Sequence, residues 1–281
     1  MLTRAFGSDG PRVPIIGQGT WRIEKGDSSS AIRALQRGID LGMTHIDTAE
    51  RYAFGIVEEM VAKAISGRRE QIFLVSKVLP GNASRAGTRA SCEASLLRLR
   101  TDRLDCYLLH WREEIPLEDT ISAFEDLKHE GKILSWGVSN FDVNDLVEAT
   151  AMAGPGKIAC NQILHNLQAR GSEHHVIPWC CEKGIAVTGY STFSDSGLPS
   201  SDSDQGRVLR EIANELAVTA HQVALAFLTH VFPVFAIPRS TRVEHTEQNA
   251  AAIDISLSPS QIEQIDRAFP VGPVPAVLPA I

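Results

Sequence analysis

Short apolar runs alternate along the chain with longer stretches in which apolar residues return every three or four positions. The first pattern suits buried strands, the second helices with one covered face. The runs fall at 14–17, 43–48, 71–77, 104–110, 133–138, 158–162, 185–190 and 234–237. Helical periodicity predicts helices over 28–41, 55–66, 84–99, 118–130, 142–152, 172–183, 206–217, 220–231, 242–251 and 259–268. Serines ahead of the first helix offer caps, and Gly67, Gly131 and Gly184 offer stops. Residues 4–13 predict a hairpin turning at Ser8-Asp9-Gly10-Pro11, and the Pro- and Ala-rich tail 270–281 predicts irregular chain. Strands apolar along most of their length belong in a parallel sheet covered on both faces. Repeated β/α units filling about 250 residues match the size of a (β/α)8 barrel. No break in composition divides the chain. Residues 1–281 are therefore expected to form a single α/β domain, a (β/α)8 TIM barrel with an N-terminal β-hairpin and extra C-terminal helices.

Polar residues close three of the runs. Asp47 ends the second, Lys77 the third and His110 the fourth, and Tyr52 follows Asp47 in a loop. Their separations are close to one β-loop-α-loop unit of about 30 residues. Equal steps along the chain become neighbours around a barrel, at the strand ends where chemistry is done. Singly, each residue has a plain structural reading: Asp47 as a cap, Tyr52 as packing, Lys77 as a solvated cation, His110 as a structural histidine. Together they form a proton-donating set. A phenol with an ordinary pKa of about 10 becomes a better acid beside an ammonium. Lys77 would supply that charge, Asp47 would hold it, and His110 would orient a carbonyl oxygen. Such a set suits carbonyl reduction, in which hydride reaches carbon and a proton reaches oxygen.

Composition narrows the field. Hydrophobic content of 43% and charged content of 22% are ordinary for a soluble globular protein. A net charge of -7 with scattered basic residues argues against nucleic-acid binding. No apolar run approaches 18 residues, so no membrane span is expected. The five cysteines, Cys92, Cys106, Cys160, Cys180 and Cys181, form no C-x-x-C pair, which suits reduced thiols and a cytoplasmic location. His174-His175 is expected to start a helix facing solvent, so no metal site is expected.

In order along the chain stand Gly17-Gln18-Gly19-Thr20-Trp21, His45-Ile46-Asp47-Thr48-Ala49-Glu50 with Tyr52, Val75-Ser76-Lys77, Leu108-Leu109-His110-Trp111, Gly137-Val138-Ser139-Asn140, Asn161-Gln162, Gly189-Tyr190-Ser191 and Ile237-Pro238-Arg239-Ser240. On these stretches, over nearly its whole length, the chain resembles the aldo-keto reductases. It is most similar to their short-looped bacterial members, which reduce methylglyoxal and similar small aldehydes. The resemblance implies NADPH extended across the barrel mouth, a monomer, and a small carbonyl substrate. It implies that Ser139, Asn140 and Gln162 bond the nicotinamide carboxamide, that Tyr190 stacks on its ring, and that Thr20, Trp21, Ser191 and Phe193 line the cleft. Arg239 and Ser240 would grip the 2'-phosphate ahead of a helix N-terminus. His245 and Gln248 stand where the family often has arginine and glutamate; Asn249 matches its adenine contact, and Arg242 is placed to compensate. A histidine is mostly uncharged at neutral pH, so NADPH is expected to be preferred and NADH tolerated. The substrate pocket is expected to be open, built from Trp21, Tyr52, Phe54, Leu79, His110 and Trp111. Two other classes remain: a low-turnover nicotinamide-binding regulatory subunit, and a lyase barrel using Lys77 as a Schiff base. The lyase needs an uncharged amine, which Asp47 disfavours.

Overall fold

Eight parallel strands hydrogen-bond in chain order, and the first meets the last. The computed structural model describes residues 1–230 and 234–280. A hairpin of β1 (Thr3–Ala5) and β2 (Arg12–Pro14) precedes the barrel strands β3 (Gln18–Gly19), β4 (His45–Asp47), β5 (Phe73–Val78), β6 (Leu104–Leu109), β7 (Ile133–Ser139), β8 (Ile158–Leu164), β9 (Ala186–Tyr190) and β10 (Val234–Ala236). The helices are α1 (Ser28–Asp40), α2 (Ile56–Ala64), α3 (Arg85–Leu99), α4 (Leu117–His129), α5 (Val143–Ala153), α6 (Val176–Glu182), α7 (Asp204–Leu216), α8 (Ala220–His230), α9 (Val243–Ala251) and α10 (Pro259–Ala268). The barrel, the hairpin and the late helices follow the order expected from the sequence. Residue 231, the expected end of the eighth helix, and residue 281 of the tail lie outside the described residues.

The first barrel strand is shifted. The expected run 14–17 is split: Pro14 pairs in the hairpin, while Ile16 and Gly19 bridge to Ala236 and Arg239. The Gly17 N–H donates to the Ala236 carbonyl at 2.8 Å and closes the barrel. A Cβ on Gly19 would meet the Ile237 carbonyl oxygen at 2.5 Å, so this seam needs a residue without a side chain. Glycine weakens a strand signal in sequence, so the apolar run alone puts this strand too early. The expected helix 172–183 shortens to α6, behind a single 3-10 turn at Gly171–Glu173. The cap of α1 is Asp27, which accepts from the N–H groups of Ser29 and Ser30, not one of the serines.

Alternation along the strands sorts two cores. Leu74 and Val78 of β5, and Tyr107 and Leu109 of β6, pack outward beneath the helices. Phe73 and Val75, and Cys106 and Leu108, pack in the barrel interior. Lys77 and His110 continue the inward parity, as Asp47 does from His45. The hairpin's Phe6 plugs one end against His45, Phe73 and Phe235, with ring centroids 5.7, 4.7 and 5.2 Å away. Asp47, Lys77 and His110 stand at the opposite end. Among the described residues no helix is long and apolar enough to cross a membrane.

Candidate active site

Because Asp47, Lys77 and His110 end adjacent strands on the inward parity, their side chains converge at one mouth of the barrel. Lys77 and Asp47 are 0% and 1% exposed. The Lys77 ammonium donates to Asp47 Oδ1 at 2.6 Å, to the Thr48 carbonyl at 2.9 Å and to Tyr52 Oη at 3.2 Å. All three of its protons are thereby placed. The other Asp47 oxygen accepts from Gln162 Nε2 at 2.8 Å, and the Asp47 carbonyl accepts from the Thr20 hydroxyl at 2.8 Å. Tyr52 opens a 3-10 turn after β4, and its ring meets His110 edge-on at 6.0 Å.

Electrostatics follow from this burial. Burial opposes the Lys77 charge, but Asp47 and Tyr52 more than offset it, so the ammonium is held above the usual lysine range. Burial also raises the Tyr52 phenol above its ordinary value; Lys77 pulls it down and Asp47 pushes it up. The expected lowering by Lys77 is thus present as a contribution, while the net direction is upward. His110 is driven well below the ordinary histidine value by burial, then by the Lys77 and Arg51 charges. It is a neutral imidazole at neutral pH, able to donate one hydrogen bond.

A cleft of about 1050 Å³ opens above these groups. Of the residues expected to hold cofactor, Thr20, Trp21, Ser139, Asn140, Gln162, Tyr190, Ser191, Phe193 and Arg239 line it. Tyr190 Oη donates to Asn140 Oδ1 at 2.8 Å, and Ser139 Oγ donates to the Gln162 carbonyl at 2.8 Å. The backbone is left-handed at Asn140 and Ser191, with φ of 62° and 51°. Such strain costs about 1–3 kcal/mol per residue and gathers at functional sites. Ser240, Arg242, His245, Gln248 and Asn249 lie beyond the cleft lining, the first two just before α9 and the others along it. There the Ser240 hydroxyl accepts from the Arg242 N–H at 3.2 Å, and Arg242 pairs with Glu244 at 3.1 Å. Asn249 is buried and His245 exposed.

Of the residues expected to shape the pocket, Trp21 and Trp111 line the cleft beside Tyr52 and His110. Phe54 does not: it is 99% exposed, because Ala53 and Phe54 take left-handed φ of 47° and 53° and the turn carries the ring outward. Leu79 is also outside the lining, its N–H held by Glu50 Oε1 at 2.7 Å. Sequence reasoning missed the bond from Gln162 to Asp47, and it missed Arg22, Arg51 and Asp195 in the lining. Arg51, directly before Tyr52, carried a positional signal. The pairing of Arg22 with Asp195 at 3.4 Å joins loops 173 residues apart and left none.

The donor set suits a nicotinamide dinucleotide: amides and a hydroxyl beside an aromatic face near the phenol, and a cation with helix-end amides at the other extreme.

A sequence model of the Aldo/keto reductase family matches residues 15–269. The chain is 42% identical to methylglyoxal reductase YeaE of Escherichia coli K12 over 260 residues, 92% of each chain. It is similar to a Klebsiella pneumoniae aldo/keto reductase in complex with NADP and acetate, with TM-score 0.92, 41% identity and 99% of each chain covered. It is also similar to a Klebsiella pneumoniae aldo-keto reductase in complex with NADPH, with TM-score 0.92, 40% identity and 100% of each chain covered.

Replacing Asp47 by Asn leaves the buried Lys77 with neutral partners only. The variant is expected to lose about 3–5 kcal/mol at neutral pH. The sign with pH is fixed. In the native protein the raised Lys77 pKa contributes stability that is complete below the ordinary lysine value and lost above it. In the variant burial is no longer offset by a carboxylate and depresses that pKa, so its stability rises with pH, and the gap should narrow from neutral pH toward the ordinary lysine value of about 10.4. Urea unfolding across that range checks this; a constant gap would contradict it.

Proposed function

Because the chain belongs to the aldo/keto reductase family, we propose that it reduces small aldehydes and ketones, methylglyoxal-like dicarbonyls among them, using NADPH. One observation carries the assignment of roles. A phenol, an ammonium and a carboxylate are linked at 3.2 and 2.6 Å at the floor of a cleft beside a neutral imidazole. In this reading Ser139, Asn140 and Gln162 hold the carboxamide, the Tyr190 ring supports the nicotinamide, and Thr20, Trp21, Ser191 and Phe193 follow the cleft toward Arg239. Ser240, Arg242, His245, Gln248 and Asn249 complete the adenosine end.

Bound NADPH supplies the hydride. Tyr52 gives its hydroxyl proton to the carbonyl oxygen as that oxygen gains charge. Lys77 stabilises the phenolate left behind, and Asp47 keeps Lys77 charged. His110 donates a hydrogen bond that fixes the carbonyl's direction. Burial keeps Tyr52 protonated until the substrate oxygen becomes basic, so the acid is not spent on solvent. Trp21 and Trp111 offer apolar walls that discriminate weakly among small carbonyl compounds, which suits a broad substrate range. The lyase alternative is disfavoured because Lys77 is held charged, and a Schiff base needs a neutral amine.

Tyr52→Phe is expected to lower kcat for methylglyoxal by about 10²–10⁴-fold. NADPH binding, read by fluorescence titration, should persist; unchanged turnover would overturn the assignment. The cofactor expectation is checked separately. kcat/KM should favour NADPH while NADH still supports turnover, since His245 offers the phosphate less charge than an arginine; a preference for NADH would contradict it.

A further inference from the structure

The cleft carries more positive charge at its reacting end than carbonyl reduction needs. In a chain of net charge -7, the cleft lining holds Arg22, Arg51 and Arg239 against Asp47 and Asp195. Asp195 takes up Arg22 at 3.4 Å, and Asp47 takes up Lys77 at 2.6 Å. Arg239 belongs to the end assigned to the phosphate. Arg51 is left with no carboxylate in salt-bridge distance among the described residues. Its place is beside the chemistry. The guanidinium stacks over Trp111 at 5.1 Å, Trp111 meets His110 at 4.9 Å, and His110 meets Tyr52 at 6.0 Å. Its charge is felt by both His110 and Tyr52.

The neighbouring carboxylates are occupied. Glu50 accepts from the Leu79 N–H and from Asn82, and Glu113 accepts from the Trp111 indole at 2.7 Å. Arg51 thus lines the cleft with its guanidinium over the Trp111 ring and its N–H groups without a carboxylate among the described residues, and a guanidinium can meet a carboxylate in a bidentate fork.

We propose that Arg51 is a substrate-selecting residue, and that the favoured substrates are small aldehydes or ketones carrying a carboxylate, whose anionic end is held by Arg51 while the carbonyl lies between Tyr52 and His110. The subsite rests on the carbonyl-reductase reading above and names its substrate class. Trp111 serves both as the wall of the pocket and as the platform that aims the guanidinium. Because Arg51 is exposed, the preference should weaken as salt rises.

The test compares 4-carboxybenzaldehyde with methyl 4-formylbenzoate, which differ in charge at the end remote from the aldehyde. Steady-state kcat/KM with NADPH is measured for the native protein, Arg51→Gln and Arg51→Lys. The native protein should favour the acid by about 10- to 100-fold, carried mainly by KM. Arg51→Gln should lose that ratio, and Arg51→Lys should restore part of it. Equal use of both aldehydes by the native protein, or an undiminished ratio in Arg51→Gln, overturns the subsite and leaves the reductase reading standing. Reduction of neither aldehyde while methylglyoxal is still turned over overturns the subsite alone; failure with methylglyoxal as well overturns the reductase reading and the subsite with it.

Discussion

A lysine and an aspartate share a space with almost no water, and much of the barrel mouth is arranged around that fact. Removing either charge from water costs several kcal/mol unless the other is close and the remaining protons and lone pairs are filled. Here they are filled. Lys77 spends its three donors on Asp47, the Thr48 carbonyl and Tyr52, and Asp47 spends its second oxygen on Gln162. Three strands, β4, β5 and β8, must therefore hold register. A one-residue slip in β5 would turn Lys77 outward beneath the helices and leave Asp47 uncompensated. The seam at Gly17 and Gly19 closes the cylinder that makes these strand ends neighbours.

The same burial sets a tension on the phenol. Removal from water favours the neutral form of Tyr52, while the ammonium at 3.2 Å favours its anion. A general acid needs both: it must stay protonated before the reaction and be stabilised once it has given the proton away. In the sequence only the ammonium's pull is visible. The net upward direction shows that desolvation is the larger effect, and it was hidden because burial is a property of the closed barrel.

Much of the architecture was legible because parallel barrel strands announce themselves as apolar runs, and each functional strand closes on a polar residue. Asp47, Lys77 and His110 could be found that way, and parity then brought their side chains together. What escaped has identifiable causes. The first strand is built on Gly17 and Gly19, whose value lies in what they lack. Phe54, expected in the pocket, is redirected to solvent by two left-handed residues, which the sequence does not announce. The bond between Gln162 and Asp47 spans 115 residues and leaves no periodic trace. Arg51 lay in plain sight beside Tyr52, yet only the stacking on Trp111 gives its charge a direction.

The central claim is that the Lys77 ammonium makes the Tyr52 phenolate accessible. It is tested most directly by titrating the three tyrosines, Tyr52, Tyr107 and Tyr190, by NMR of ¹³C-tyrosine-labelled protein, with Tyr52→Phe to assign the signal. The comparison is between the native protein and Lys77→Met. The expected result is that Tyr52 ionises at a distinctly higher pH once the ammonium is gone. Ionisation at the same pH, or at a lower one, would contradict it.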